Sequence, residues 1–384
     1  MKTRYIFLTM LILICVLAAC APASAQDTPQ PATATPVVPT PTPALPADAI
    51  GKYSKVEITA GSLSNNLIGD SDVRTINIYL PPTYDISDQR YPVVYYLPGH
   101  GDINMSGIGF PDDIDRLIRS GAMREIIIVV ANGRNELDGS FYVNSPVTGN
   151  WEDFIAADVV NYVDANYRTI PDAGARGISG HSMGGFGALN IAMHRPDVFS
   201  AVYSLSPGLF DENGLAESQI FSSEYVNGRF VSYQSKIAGM SEEEAKSSML
   251  VLSPDKFILG YGLAFAPNPE KPPYLDYPYS EVNGQLVRDE AIWKKWESGF
   301  GGVAEEIQEY KSNFMSLKGI VVDVGSADEY EWIPKGCDYF DEQLTAAGIP
   351  HTYYKHDGTH GDRLVERIRD YMLPFFSEIL TFEE

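Results

Sequence analysis

The segment Gly180-His181-Ser182-Met183-Gly184 sets a hydroxyl between two glycines. This is the Gly-x-Ser-x-Gly spacing that exposes a serine on a sharp strand-to-helix turn. Five residues alone say little in a chain with 33 glycines. Their flanks add the context: Arg176 to Ser179 reads as a short strand and Gly185 to His194 as a helix. Glycines suit such a turn because a Cβ beside the serine would crowd it, and because the helix must approach the sheet closely.

A serine hydroxyl is a poor nucleophile until a base removes its proton, and the chain holds only 6 histidines. His100 and His181 flank glycines, His194 ends a helical pattern, and His351 and His356 bound the strand Thr352 to His356. His360 lies beyond that strand in Gly358-Thr359-His360-Gly361, a loop able to carry a ring over the strand ends, and is preferred to His356 as the base. The imidazole needs a carboxylate to orient it. Strand Ile320 to Val324 ends in Gly325-Ser326-Ala327-Asp328, so Asp328 is the first choice, with Asp323 inside the strand as the fallback. A tetrahedral intermediate also needs two N–H donors. The backbone N–H of Met183 supplies one, and that of His100, in Pro98-Gly99-His100-Gly101-Asp102, the other.

The elements around these residues alternate. Ser71 to Leu80 reads as an edge strand closed by Pro81-Pro82. Pro92 to Leu97, Ile126 to Ala131, Ser200 to Leu205 and Ile320 to Val324 are apolar runs of the kind buried on both sheet faces. Helical patterns separate them: Ile114 to Arg119, a Trp151-to-Val163 stripe with Asn150 as N-cap, Pro334 to Ala347, and Leu364 to Leu380 with a kink expected at Pro374. Alternation of this kind predicts a mostly parallel, doubly wound α/β sheet with its chemistry at the strand C-terminal ends. From about Gly208 to Phe300 the rhythm fails, which predicts an inserted cap with helices near Ser241 to Leu250 and Asp289 to Ser298, and a further one beside it near Val303 to Tyr310. Tyr261, Phe265, Tyr274, Tyr277, Tyr279, Trp293 and Trp296 could there either bind an aromatic acyl group or form the cap's own core. Glu152 and the acids Asp112, Asp113 and Asp115 read as helix-start residues rather than a further catalytic acid or a Ca²⁺ loop.

Several segments together resemble the esterase D family, which includes feruloyl esterases and mycolyltransferases. They are Tyr91 to Gly101, Ser145 to Phe154, the Ser182 turn, Val324 to Glu329 and Gly358 to Gly361. The resemblance implies an α/β-hydrolase fold and hydrolysis of a carboxylic ester by Ser182, Asp328 and His360, in the chain order usual for that fold, without a cofactor. The chain departs from the family at Pro98, where an Asp, Glu or His often precedes the glycine, and in its large insertion. An acyltransferase would use the same acyl-enzyme, and a non-catalytic binding lipoprotein would predict a degenerate triad.

The bulk properties narrow the partners. A net charge of -23 over 384 residues argues against nucleic-acid binding. The only thiol of the folded body is Cys337, a packing residue on a helix, so neither an internal disulfide nor a cysteine-based metal site is expected, and no other metal site is evident. Residues 1–19 carry Lys2, Arg4 and a short apolar run, a signal peptide in form, and Leu17-Ala18-Ala19-Cys20 resembles a lipobox with Cys20 lipidated. Ordinary cleavage after Ala25 is the alternative. Residues 20–50, rich in Pro and Thr, predict an extended tether and 51–384 the folded domain. The expectation is an extracytoplasmic lipoprotein acting on a small-molecule or polysaccharide-linked ester, touching membrane only through its anchor; oligomeric state is left open. With His360 as base, kcat/KM should rise with pH through about 6–7, and a flat profile between about pH 5 and 8 would exclude that role.

Overall fold

The computed structural model describes residues 45–383. The leader, Cys20 and the tether up to residue 44 lie outside the described residues. Residues 45–50, assigned above to the tether, pack on the domain: Ala49 is buried and Arg119 donates to the carbonyls of Pro46 and Ala49.

Eight strands form one sheet: β1 Lys52–Thr59, β2 Val73–Leu80, β3 Val93–Leu97, β4 Ile127–Ala131, β5 Arg176–His181, β6 Ala201–Leu205, β7 Gly319–Gly325 and β8 Thr352–His356. Their spatial order is β1-β2-β4-β3-β5-β6-β7-β8. β2 runs antiparallel to both β1 and β4, and every other pairing is parallel. The predicted parallel, doubly wound sheet is therefore present. β2 is not an edge strand, however. β1, which is mostly exposed and has only Ile58 buried, covers it; so polar a segment shows no apolar run to read in advance.

Two apolar layers sandwich the sheet, and the pleat assigns side chains to them. In β3, Val93, Tyr95 and Leu97 join one layer, while Val94 and Tyr96 join the other. The smaller layer is completed by α1 (Asp112–Ser120) and by the C-terminal helix. The larger holds α2 (151–166), α3 (Met183–His194) and the helices of the insertion. In α2 the predicted cap is displaced. Asn150 makes no capping bond; Asn144 Oδ1 instead accepts from the N–H groups of Glu152 and Asp153 at 3.1 and 3.2 Å.

The segment 208–300 folds as α4 (Glu224–Ala238), α5 (Glu242–Leu252), α6 (Lys256–Phe265), a hairpin Tyr279–Val282 with Gln285–Arg288, and α7 (Glu290–Phe300). Ser241 and Asp289 cap α5 and α7 as hydroxyl and carboxylate N-caps should. α4 and α6 are absent from the pattern-based reading. α6 is apolar around most of its circumference and contains Gly260 and Gly262, so it has no polar face to mark a period. After the insertion come α8 (Trp332–Ala347), which buries Cys337, and α9 (364–379). In α9 a π-helical turn, Ile368–Met372, immediately precedes Leu373-Pro374, a widened turn that accommodates the missing proline N–H.

Asn144→Ala should therefore destabilise the protein by about 1 kcal/mol in denaturant unfolding, whereas Asn150→Ala should change it by less than about 0.5 kcal/mol. The reverse ranking would return the cap to Asn150.

Candidate active site

At the sheet's C-terminal edge, β5 ends at His181 and α3 begins at Met183, leaving Ser182 at φ 58° and ψ −118°. An L-residue avoids that region by about 1–3 kcal/mol unless its surroundings impose it. Here Ser182 N–H donates to Leu205 O of β6 at 2.9 Å, and Ser182 O accepts from the N–H groups of Phe186 and Gly208. A Cβ at Gly184 would strike the Leu97 carbonyl oxygen, and one at Gly180 the Gly184 carbonyl. The turn is possible only with glycine at both places.

Two later loops bring the partners. Asp328 follows β7 and is buried; His360 follows β8 and is half-buried. His360 Nδ1 lies 2.6 Å from Asp328 Oδ2. Asp328 is held in turn by Tyr330 N–H, which donates to Oδ1 at 2.9 Å. His360 is also gripped from its backbone, its N–H donating to Glu329 Oε2 at 3.0 Å; the N–H of Glu329 itself and then that of His360 hold the Glu329 carboxyl below its usual range. With Nδ1–H on the carboxylate, Nε2 is the nitrogen left to accept a proton.

Ser182, His360, Met183 and His100 line one cavity of about 390 Å³. Met183 is the first residue of α3, so its N–H has no intrahelical acceptor and sits at the positive end of the helix dipole. In the loop after β3, Gly101 N–H donates to Asp138 O and Asp102 N–H to Gly99 O, while the His100 N–H has no partner among the described residues. The His100 ring turns away from proton chemistry: Nε2 meets Leu137 O at 3.1 Å, the ring packs edge-on against Phe257, and burial lowers its basicity.

His181 was passed over in the sequence as an ordinary motif position. In the fold it is buried, its Nε2 lies 2.8 Å from His360 O, and its ring centroid is 4.7 Å from that of His360. Burial, and then the neighbouring His360, bring its pKa down to about 4, so the ring is neutral and donates Nε2–H to that carbonyl. Such a role depends on a contact 179 residues away, and no local pattern announces it.

Other sequence candidates fall elsewhere. Glu152 lies in the first turn of α2, as the helix-start reading has it, and is engaged further from there. Its carboxylate meets His194 Nδ1 at 3.0 Å, with Glu306 3.4 Å from Nε2; burial opposes the charge, but the two acids outweigh it and raise His194 to about 9. Asp115 is buried and accepts from Gly51 N–H and the Tyr79 hydroxyl. Tyr261, Tyr274, Tyr277, Trp293 and Trp296 are buried inside the insertion, which agrees with the cap-core alternative, and none of the seven rings lines the cavity. Its walls are Phe257, Phe300, Tyr330 and Trp332, with Asp102 and Asp255 beside them and no Lys or Arg among the lining residues. Among the described residues no group of three or more His, Cys, Asp or Glu side chains is placed to hold a metal ion.

Comparison with known proteins agrees with this geometry. The family described as "Putative esterase" matches residues 71–361, well over half of the chain. An esterase of Mycobacterium tuberculosis is 36% identical over 123 residues, covering 30% of this chain and 25% of that protein. An S-formylglutathione hydrolase of Arabidopsis thaliana is 30% identical over 156 residues, 35% of this chain and 51% of that one. The chain thus spans between a quarter and about half the length of these relatives. Among solved structures, a ferulic acid esterase superposes with a TM-score of 0.56 at 21% identity, covering 87% of this chain and 100% of that one. An S-formylglutathione hydrolase from Agrobacterium tumefaciens gives 0.54 at 17%, covering 87% and 97%. With the strand order, the serine turn and the family match in hand, this chain belongs to the esterase family and has the α/β-hydrolase fold.

Proposed function

We propose that this protein hydrolyses a carboxylic ester through an acyl-enzyme on Ser182. His360 Nε2 takes the hydroxyl proton as Ser182 Oγ attacks the ester carbonyl, and Asp328 stabilises the imidazolium that forms. The oxyanion is held by the N–H groups of Met183 and His100. The same imidazole returns its proton to the departing alkoxide, and a water activated by His360 then releases the acid. The reading is carried by one observation: His360, paired with Asp328 at 2.6 Å, lines the same cavity as a serine held at positive φ.

The cavity's chemistry supports a neutral ester with a planar acyl group. Aromatic walls favour a flat ring, and carboxylates at Asp102 and Asp255, with no cation lining the site, disfavour anionic substrates and can accept hydrogen bonds from hydroxyl groups. Feruloyl or acetyl esters of a polysaccharide fit that description. They also agree with the relative named endo-1,4-beta-xylanase/feruloyl esterase, which is 28% identical over 148 residues.

Ser182→Ala should lower kcat by about 10⁴- to 10⁶-fold with little effect on stability, and an acyl adduct should map to Ser182 in the native enzyme. Retained turnover, or an adduct elsewhere, would overturn the serine mechanism. Ester products formed in the presence of added alcohols would instead identify a transferase. Trp332→Ala should raise KM about tenfold for methyl ferulate while leaving an acetyl ester nearly unchanged; equal effects on both would remove the aromatic wall from recognition.

A further inference from the structure

Beneath the Asp328–His360 pair lies a second carboxylate–imidazole pair, Asp323 and His356. His356 closes β8, and its Nδ1 accepts a hydrogen bond from Gly358 N–H at 3.0 Å. An accepting Nδ1 places the ring proton on Nε2. That nitrogen is 3.6 Å from Asp323 Oδ1, a buried oxygen with no hydrogen-bond partner among the described residues. The other oxygen of Asp323 is fixed by the Tyr203 hydroxyl at 2.5 Å and by Arg367 Nε at 2.7 Å. At 3.6 Å from a neutral ring the carboxylate lies beside the imidazole without a hydrogen bond to it; the ring itself holds the loop, through Nδ1.

Gly358 joins the two pairs. Its N–H is held by the His356 ring, and its carbonyl accepts from Ala327 N–H at 3.0 Å, directly before Asp328 in the chain. Ser326 N–H donates to the His356 carbonyl at 2.8 Å. A shift of Gly358 would thus disturb the Asp328 loop and the approach to His360, two residues further on, together.

We propose that His356 is a positioning residue for His360, holding the 357–361 loop through its unprotonated Nδ1, so that activity requires two neutral imidazoles rather than one. This rests on the reading of His360 as the base. Protonated His356 would present N–H to the Gly358 N–H, turning an attraction into a repulsion. The charged groups facing it are Asp323 on β7, Arg363 and Arg367 at the start of α9, and Asp362 in the loop. Burial lowers the His356 pKa, Asp323 opposes that shift and the two arginines reinforce it, so the neutral ring is kept at neutral pH and lost only as the solution becomes acidic.

Two variants separate this role from simple packing. In His356→Asn the side-chain oxygen can take the place of Nδ1 but cannot titrate; in His356→Phe the space is filled and the acceptor is gone. Both would be assayed from about pH 4 to 8 with an activated aryl ester, with circular dichroism showing the pH range over which each stays folded. The native enzyme should show log kcat/KM falling on the acid side with a slope that steepens from one to two. His356→Asn should keep kcat within about threefold but fall with a slope of one, and His356→Phe should lose about 10- to 100-fold in kcat at unchanged KM. A native slope that never exceeds one, or a folded Phe variant with native kcat, would overturn the proposal. If the Phe variant does not fold, an Asn variant retaining the slope of two would do the same. An active His360→Ala variant would instead remove the underlying assignment of the base.

Discussion

The backbone of Ser182 is the point on which the site turns. Its positive φ is unfavourable by itself, and it persists because three elements meet there: β5 delivers it, β6 accepts its N–H, and α3 returns an N–H to its carbonyl. The helix can come so close to β3 only because Gly184 puts nothing against the Leu97 carbonyl. That same approach aims the first turn of α3, with its free N–H groups, at the place where an oxyanion would form. Geometry and electrostatics come from one packing decision.

The rest of the machinery is suspended from the ends of parallel strands, where loops are free of sheet pairing. Two carboxylate–imidazole pairs are stacked there, and their environments differ. His360 opens onto the cavity, with Asp328 fully buried behind it. Asp323 and His356 lie below, with Arg367 and the Tyr203 hydroxyl closing the carboxylate from the other side. Burial raises the Asp323 carboxyl above its ordinary range, and the Tyr203 hydrogen bond and the Arg367 charge oppose that rise. The buried ion pair of this layer is Asp323 with Arg367, and removing one partner of such a pair generally costs about 3–5 kcal/mol.

How far the chain could be read in advance depended on how local the cause was. The apolar runs of β3, β4, β6 and β7 are legible because both faces are buried, and Pro374 announces a disturbed helix by its own chemistry. Asn150 was misread because the true cap, Asn144, sits across a short two-strand turn from the helix it serves. For the insertion, the alternative of a cap with its own aromatic core is the one the fold adopts. Its rings form a continuous aromatic core from Phe221 through Tyr261 to Trp296, and only Phe257 and Phe300 turn toward the cavity, a distinction made by packing and not by residue type. Charge told a similar story at Glu152, whose position at a helix start hid an ion pair with His194 on another helix.

By itself, the amino-acid sequence determined the inventory: a serine between glycines, few histidines, acids placed just past apolar strands, and the order in which they follow one another. Those follow from local sterics and from the periodicity that burial demands. Tertiary structure alone decided which acid faces which imidazole, that His181 grips the backbone of His360, and which rings line the cavity. Each of those depends on strands adjacent in the sheet but distant in the chain, where a few ångströms of loop path choose the partner.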